Sequence, residues 1–292
     1  MIEITERAEV ERLLADPASR VPEADRAGSP QSSFARFRAG VSRFANGATY
    51  DARRARLEEL LEHLDAHALA SGARERTAAA MAAGLSATDE RDAERRALAA
   101  QCARHVPVAV LAAALGFARP DALPPLVATV AAAYPTGETA HPHATDAAVT
   151  QLLEAAGAAD GADRTLRVQL LVQAHAATAT LVERALELAE TRAEATPTRT
   201  LLDAVLRDDS PVPVTRRLIA APHGGHDLAV LRLDGPDQEA AADRPARILA
   251  FGAGPRACPA PHHALVIAAA IVDTIRADAN RHEETTRHAD AP

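Results

Sequence analysis

One short segment near the end of the chain combines a lone cysteine with residues that control the backbone. Cys258 lies in the run 251–260, FGAGPRACPA, which contains two glycines and two prolines. A cysteine binds a metal as its thiolate, and a position just before a helix favours the thiolate because unpaired N–H groups and the helix dipole attract anions. Arg256 adds a positive charge nearby in the sequence. The segment therefore predicts a loop that presents one sulfur to a ligand.

The glycines of this run predict an unusual backbone. Gly252 and Gly254 permit angles that side chains forbid, and we expect them to let the chain lie close to a large flat ligand. The apolar stretch 264–275 predicts a helix directly after the loop. Two other interpretations stay open. One is a Gly/Pro turn around a buried free cysteine. The other is a zinc site that adds His262 and His263, although it lacks a second thiolate.

The same run resembles the haem-binding signature of the cytochrome P450 family, Phe-x-x-Gly-x-Arg-x-Cys-x-Gly. The matching positions are Phe251, Gly254, Arg256 and Cys258, with Ala260 where the family has its last glycine. The resemblance implies haem b (iron protoporphyrin IX) as the cofactor, Cys258 as the axial iron ligand and Arg256 as a partner of a haem propionate. It also implies a mainly α fold, a P450 fold reduced in length with a long central helix and a small β-sheet.

Further positions resemble the family's propionate-contacting residues. The segment 210–217, SPVPVTRR, is similar to the family's Pro-Pro-Val-x-x-Thr-x-Arg, which assigns that role to Arg217, with Arg216 as the alternative. Tyr50 and Arg54 resemble a His-x-x-x-Arg on the helix above the haem edge. A buried carboxylate requires such partners because an unpaired buried charge is costly. In a chain so rich in arginine, each of these residues taken singly is more typical of a solvated surface.

The predicted central helix departs from the family's pattern. This helix is expected from about 163 to 194, and the stretch that resembles the family's acid-alcohol pair carries Ala176 and Ala177 instead. The neighbours implied at the cofactor are His175 and Thr178 as catalytic groups and Ala174 as a contact. An imidazole is able to move a proton near neutral pH. The competing interpretation of His175 is a helix histidine whose partners are backbone or solvent.

A second departure concerns the ion pair that braces the haem-binding core in the family. The Glu-x-x-Arg motif falls on the sequence AVLR at 204–207, which keeps Arg207 and lacks the glutamate. A buried arginine without its partner would be a stranded charge. Either Asp203 substitutes for the glutamate or Arg207 points elsewhere.

Periodicity predicts helices over most of the chain, in keeping with the resemblance. Besides the central helix, helices are expected at 51–69, at 88–104 with Thr88 as N-cap, at 106–116 and at 200–207. Strands are expected at 212–219 and 228–233, with a turn at 224–225 between them. We expect one P450-like domain over residues 1–278, divergent before about residue 34, and a polar C-terminal tail at 279–292.

Composition excludes several classes of function. The chain has 292 residues, of which 48% are hydrophobic. Its net charge of −8 argues against binding of nucleic acid or of a membrane surface. Only two cysteines occur, and the N-terminus is polar and acidic rather than a signal peptide. No apolar stretch is expected to reach the length of a membrane span, since 106–117 is the longest. A cytoplasmic protein is predicted.

The resemblance implies a haem-thiolate enzyme that oxidises a small molecule in bacterial secondary metabolism. Because the acid-alcohol pair is missing, a peroxide-driven or otherwise non-standard mechanism gains weight. The alternatives are a non-catalytic helper that binds and activates a partner enzyme, and a P450-like enzyme of non-redox cyclisation or isomerisation. A ferredoxin or another redox donor is the implied protein partner, and Arg244, Arg247 and Arg256 could form part of its docking patch.

Overall fold

The computed structural model of this protein describes residues 1–24, 32–84, 91–157, 160–193, 195–221, 224–234 and 248–289. Within these ranges the chain forms ten α-helices and one three-stranded sheet, which confirms the predicted mainly α class. The helices are α1 (Arg7–Ala15), α2 (Ser33–Gly40), α3 (Gly47–Glu62), α4 (Ala66–Gly84), α5 (Arg91–Ala114), α6 (Pro124–Ala133), α7 (Pro142–Ala155), α8 (Gly161–Thr191), α9 (Thr198–Asp208) and α10 (Pro261–Ala289). The strands are β1 (Ile2–Ile4), β2 (Val214–Ala220) and β3 (His226–Arg232).

The long helix α8 is the centre of the fold, as predicted. Asp160 caps its N-terminus by accepting from the N–H of Ala162 at 2.5 Å, which explains why the helix begins before the predicted position. Buried residues occur on several sides of α8, and it packs against α2, α3, α5, α6, α7, α9 and α10. The two large apolar clusters of the core meet at this helix. A helix buried on most sides is expected to be apolar nearly all round.

The sheet has the order β1-β3-β2. β2 and β3 form an antiparallel hairpin in which Val214 pairs with Arg232, and Gly224 and Gly225 take the positive φ angles of the turn, as predicted. The sequence did not predict β1, which pairs in parallel with β3, with Ile2 opposite Ala229. Three residues are too few for a clear alternating pattern. The third apolar cluster joins this sheet to α1.

The single helix predicted over 51–69 is wrong, because the structure contains two. α3 ends at Glu62, and α4 begins at Ala66 after a short turn. Asp65 accepts from the N–H of His67 at 2.7 Å and so caps α4. Since neither Gly nor Pro occurs at this break, the leucine pattern continues across it and conceals it.

The two helices predicted at 88–104 and 106–116 are one helix, α5, which contains Pro107. Gly116 follows it with a φ of 77° and ends it as predicted, whereas Thr88 lies outside the described residues. Its segment Ala93–Ala114 is long and apolar enough to cross a membrane, contrary to the expectation of no such stretch. Half of this segment is buried inside the fold, where α5 packs against α4 and α8 in the way of a core helix.

The last helix is longer than predicted. α10 begins at Pro261, directly after the cysteine loop, and continues to Ala289. The boundary expected between 278 and 279 therefore lies inside a helix rather than at the start of a tail. Proline suits the first position of a helix because its missing N–H would have no helical partner there. The helix therefore begins three residues after Cys258.

Candidate functional site

A cavity of about 750 Å³ lies where α3, α8, the sheet and the start of α10 meet. Most of the predicted site residues line it: Tyr50, Arg54, Ala174, Thr178, Arg217, Phe251, Gly252, Arg256 and Cys258. Its other walls are largely aliphatic. The volume is within the range of natural small-molecule sites, roughly 300–1,000 Å³. The fold thus brings together residues that are up to two hundred positions apart in the sequence.

The cysteine loop is held by its own backbone. The N–H of Cys258 donates to the carbonyl of Phe251 at 2.7 Å, and the N–H of Gly252 donates to the carbonyl of Leu249 at 2.7 Å. Gly252 has a φ of 68°, and Gly254 has a φ of 66°. These bonds close a tight loop between the sheet and α10. The prediction of a glycine-shaped loop just before a helix is confirmed in its backbone.

Gly254 serves a different purpose from the one predicted. A Cβ atom at this position would lie 2.3 Å from the carbonyl oxygen of Leu14. The close approach is therefore to the backbone of α1, and Gly254 is not among the residues that line the cavity. The expectation that this glycine gives room to a flat ligand is wrong. Gly252 does line the cavity.

Cys258 lines the cavity and is partly buried. Its Sγ accepts from the N–H of Ala260 at 3.4 Å, at the beginning of α10. Burial raises the pKa of the Cys258 thiol, while the Ala260 N–H and the charge of Arg54 act in the opposite direction. The predicted help from the helix start is present, but the helping cation is Arg54 and not Arg256.

Three side chains tie the loop to α3. Tyr50 donates its hydroxyl to the carbonyl of Pro255 at 2.7 Å, and Arg54 donates from Nη1 to the carbonyl of Ala257 at 2.6 Å. The guanidinium of Arg256 lies 3.8 Å from the centre of the Tyr50 ring. Arg54 also forms an ion pair with Glu58 at 2.6 Å. Tyr50 and Arg54 thus brace the loop through hydrogen bonds to its backbone.

Arg256 donates from Nη2 to the carbonyl of Ala45 at 2.8 Å and to Oδ1 of Asn46 at 3.0 Å. These are neutral acceptors. Burial lowers the pKa of Arg256, and the electrostatic effects of Tyr50 and Asp51 oppose this change. The guanidinium is thus anchored on the turn before α3 while it lines the cavity.

Arg217 is the most unusual charge of the site. Its side chain is only 5% exposed, and its Nη1 donates to Thr215 Oγ1 at 3.1 Å and to the carbonyl of Arg216 at 2.9 Å. Its Nε is buried without a hydrogen-bond partner among the described residues. Burial, followed by repulsion from Arg256 and Arg43, lowers the pKa of Arg217 to about 10. Arg216, on the same strand, is exposed.

The face of α8 that lines the cavity includes Ala174, Ala177 and Thr178. Thr178 is 4% exposed, so its hydroxyl-bearing side chain is at the cavity wall and shielded from bulk solvent. His175 is not among the lining residues. Burial lowers its pKa, and the charges of His105 and Arg104 on α5 add to the effect. The structure therefore separates the two catalytic candidates, although three residues along a helix correspond to a rotation of only about 60° between them.

The sequence left two outcomes for the missing glutamate: either Asp203 substitutes for it or Arg207 points elsewhere. The structure shows the second. Arg207 points away from the core and pairs with Asp208 at 2.7 Å, at the surface. Asp203 pairs with Arg199 at 2.9 Å and does not substitute for the glutamate. The ion pair that braces the family's core is thus not formed by these residues.

The zinc interpretation finds no support in the ligand geometry. In the described part of the chain, no three His, Cys, Asp or Glu side chains come close enough together to hold a metal ion. His263 lines the cavity, and its Nδ1 is buried without a partner in the same part of the chain. Arg244 and Arg247, two residues of the predicted docking patch, lie outside the described residues.

Several lining residues were not predicted from the sequence. Arg38 and Arg43 lie around the Phe44 ring, with guanidinium carbons 4.4 and 5.8 Å from its centre. Glu23 is the one carboxylate among the described lining residues. The cavity is therefore strongly cationic. In a chain with so many arginines, no spacing distinguishes those that turn inward from those on the surface.

The sequence matches no protein-family model and no curated protein. The fold matches solved cytochromes P450. P450BioI, in complex with an acyl carrier protein ligated to hexadec-9Z-enoic acid, has a TM-score of 0.69 at 14% identity over 93% of this chain and 83% of that chain. A mutant of P450 EryK in complex with erythromycin B has a TM-score of 0.64 at 16% identity, over 94% of this chain and 82% of that chain.

A third neighbour comes from the thermoacidophilic archaeon Picrophilus torridus. This cytochrome P450, with bound 4-phenylimidazole, has a TM-score of 0.64 at 13% identity, and the match covers 94% of this chain and 88% of that chain. The chain therefore has the cytochrome P450 fold, and the resemblance inferred from the cysteine loop is confirmed at the level of the fold.

Proposed function

We propose that this protein is a haem-thiolate enzyme that oxidises a small molecule, with Cys258 as the axial ligand of haem b. The observation that carries the proposal is Arg217, a buried cation that faces a cavity without a carboxylate partner among the described residues. An isolated buried charge costs several kcal/mol unless an opposite charge accompanies it. A propionate is such a charge.

The other lining residues fit the same group. Arg256 lines the cavity beside Arg217 and lies close enough to lower the pKa of Arg217 by repulsion. The site therefore offers two cations, one for each propionate of a haem. Cys258 lines the cavity on a loop that Tyr50 and Arg54 brace. The aliphatic walls suit a porphyrin face. Haem, when bound through a thiolate, supplies the chemistry of oxygen activation and oxidation of an unreactive carbon.

The residues of the chain would divide the work as follows. Cys258 loses its proton on ligation, since a thiol that binds a metal must be deprotonated. Arg217 and Arg256 hold the propionates, while Tyr50 and Arg54 keep the loop at a fixed distance from α3. Ala174 and Ala177 leave space beside the cofactor on the wall formed by α8.

Proton delivery is where this chain departs most from an ordinary monooxygenase. Among the described lining residues, no carboxylate on α8 faces the cavity, and Thr178 is the hydroxyl that does. We propose that Thr178 orients a proton-bearing water or the oxidant, and that hydrogen peroxide serves as oxidant, because peroxide brings its own protons and electrons. His175 has no part in this proposal.

The wider setting follows from the same proposal. The substrates are small molecules of bacterial secondary metabolism, and the small molecules bound by P450-fold neighbours support this class. A cytoplasmic location suits two free cysteines. A ferredoxin or another donor would replace peroxide if electrons arrive singly.

Hemin titration of the purified protein tests the proposal. The expected result is stoichiometric uptake with a Soret band, and a carbon monoxide difference spectrum of the thiolate type after reduction. Cys258→Ser should lose the thiolate-type spectrum and retain the fold, whereas Cys102→Ser, the matched control in the core, should keep the spectrum. A protein that folds but binds no hemin would refute the proposal.

The oxidant is tested separately. Hemin-loaded protein is supplied either with hydrogen peroxide or with a ferredoxin, its reductase and NADPH, and oxidation of a chromogenic phenol is recorded. We expect turnover with peroxide and about a tenfold or greater loss in Thr178→Val, in line with typical general acid-base contributions. Thr180→Val, two residues further along α8, is the control. Turnover only with the ferredoxin mixture would contradict the peroxide mechanism.

A further inference from the structure

A small polar network connects the turn between α2 and α3 to the cavity face of α8. The backbone N–H of Ser42 donates to Oε1 of Gln169 at 2.8 Å. Nε2 of Gln169 donates to Ser42 Oγ and to Oε1 of Gln173, each at 2.7 Å. Gln169 is 1% exposed, and both polar atoms of its side chain have partners. A fully satisfied buried network of this kind is rigid.

The backbone donor fixes the orientation of both amides. A peptide N–H can only donate, so Gln169 must turn its oxygen to Ser42 and its NH₂ group to Gln173. Gln173 must then offer its oxygen to that NH₂ group. If the Gln173 amide were flipped, two NH₂ groups would face each other at 2.7 Å without an acceptor. The NH₂ group of Gln173 is therefore the end that is left over.

This leftover group belongs to a residue of the cavity wall. Gln173 lines the cavity and is exposed, although it lies near the middle of the central helix α8. No acceptor for its Nε2 occurs among the residues that the structure describes. The neighbouring lining residues Leu170, Ala174 and Ala177 are apolar. The cavity wall thus carries an NH₂ group with two N–H donors and no acceptor among the described residues, beside these apolar side chains.

We propose that Gln173 is a substrate-recognition residue and that the substrate carries a carbonyl oxygen which accepts from Gln173 Nε2. A carbonyl fits best because the exposed end of the amide only donates, and a hydroxyl would bring a donor that the apolar neighbours cannot satisfy. The role of the contact as substrate recognition rests on the proposed function. The contact itself requires only the cavity and the network.

Matched ligands test the contact. Cyclooctanone and methylenecyclooctane differ by the replacement of C=O with C=CH₂, and calorimetry gives their dissociation constants. We expect the wild-type protein to bind the ketone about fivefold more tightly, the value of one net hydrogen bond of about 1 kcal/mol. In Gln173→Leu the ratio should fall to about one, while the affinity for methylenecyclooctane is kept. Gln151→Leu, at an exposed position of α7, should preserve the ratio.

Titrations on hemin-loaded and hemin-free protein separate this proposal from the proposed function. If Gln173→Leu loses the preference for the ketone, the contact is supported, whether the protein is hemin-loaded or hemin-free. This holds even if no hemin binds. A wild-type protein without preference for the ketone would overturn the proposal. An unchanged ratio in Gln173→Leu, with its melting temperature preserved, would overturn it as well.

Discussion

The guanidinium of Arg256 lies 3.8 Å from the centre of the Tyr50 ring, and the hydroxyl of Tyr50 donates to the carbonyl of Pro255, the residue before that arginine. One side chain therefore holds both the backbone and the charge of the cysteine loop. A stacked cation is worth roughly 0.5–2 kcal/mol, depending on its desolvation. The geometry of the sulfur consequently depends on α3, a helix two hundred residues earlier in the chain.

Tyr50→Phe should destabilise the protein. The change removes the hydrogen bond to Pro255 and keeps the ring beneath Arg256, so we expect a loss of about 1 kcal/mol in the free energy of unfolding. Denaturant titration measures this loss. The hemin dissociation rate should rise in the same variant because the loop is less firmly held. Unchanged stability would show that the hydroxyl does not contribute to the fold.

Tyr134→Phe should have the opposite effect. The hydroxyl of Tyr134 is buried without a partner among the described residues, and burial raises its pKa. The hydroxyl loses its hydration on folding and gains no hydrogen bond, so its removal should stabilise the protein by about 1 kcal/mol. Since Tyr50 and Tyr134 are the two tyrosines of the chain, each variant is the control for the other. A loss of stability in Tyr134→Phe would indicate a hidden partner.

Arg217→Met should stabilise the hemin-free protein and weaken hemin binding. The pKa of Arg217 in the folded state, about 10, lies below the ordinary value of an arginine, so its burial as a cation opposes folding at neutral pH. Replacement by an apolar side chain should add about 1–3 kcal/mol to the free energy of unfolding. The same replacement removes a propionate partner. Opposite signs in the two measurements are what distinguish a ligand site from a structural arginine.

Arg216→Met provides the matched control on the same strand. Because Arg216 is exposed, stability should change by less than about 0.5 kcal/mol. Arg216 also lines the cavity, and we expect its loss to reduce hemin affinity less than the loss of Arg217 does. If Arg217→Met instead destabilised the hemin-free protein, the idea of a stranded charge would be wrong.

Hemin affinity should increase with pH. Burial raises the pKa of the Cys258 thiol. A thiol that binds a metal must be deprotonated, so ligation below this pKa releases one proton. Release of one proton makes the affinity rise about tenfold per pH unit below the thiol pKa. Absorbance titrations between about pH 6.5 and 8.5, below the raised pKa of the thiol, measure this slope. Cys258→Ser should abolish the slope, and a flat wild-type profile would argue against ligation by the thiolate.

Gly254→Ala should be more harmful than Gly252→Ala. Both glycines have positive φ angles, which cost a side-chain-bearing residue about 1–2 kcal/mol. At Gly254 the new Cβ would also overlap the carbonyl of Leu14, which adds about 1–3 kcal/mol of overpacking. At Gly252 the nearest atom is 3.7 Å away. Thermal unfolding measures the loss of stability in each variant. Equal losses would mean that the backbone of α1 shifts to make room for the new Cβ.

The cysteine loop was predictable because its information is local. The glycines, the prolines and Cys258 determine a turn, a sulfur and a helix start within ten residues. Arg217 could be predicted as a propionate partner from a segment of similar length. The break between α3 and α4 was not predictable, because the leucine spacing continues across it and the capping role of Asp65 has no distinct signal.

The sequence by itself determined that this chain is mainly helical, that a cysteine is presented before the last helix, and that arginines accompany it. Only the tertiary structure decided which polar groups face the cavity. It turned Thr178 inward and His175 toward α5, used Gly254 against α1, and left Nε of Arg217 and Nε2 of Gln173 without a partner among the described residues. These outcomes depend on how helices rotate and pack against one another, and that rotation is set by the whole core rather than by neighbouring residues.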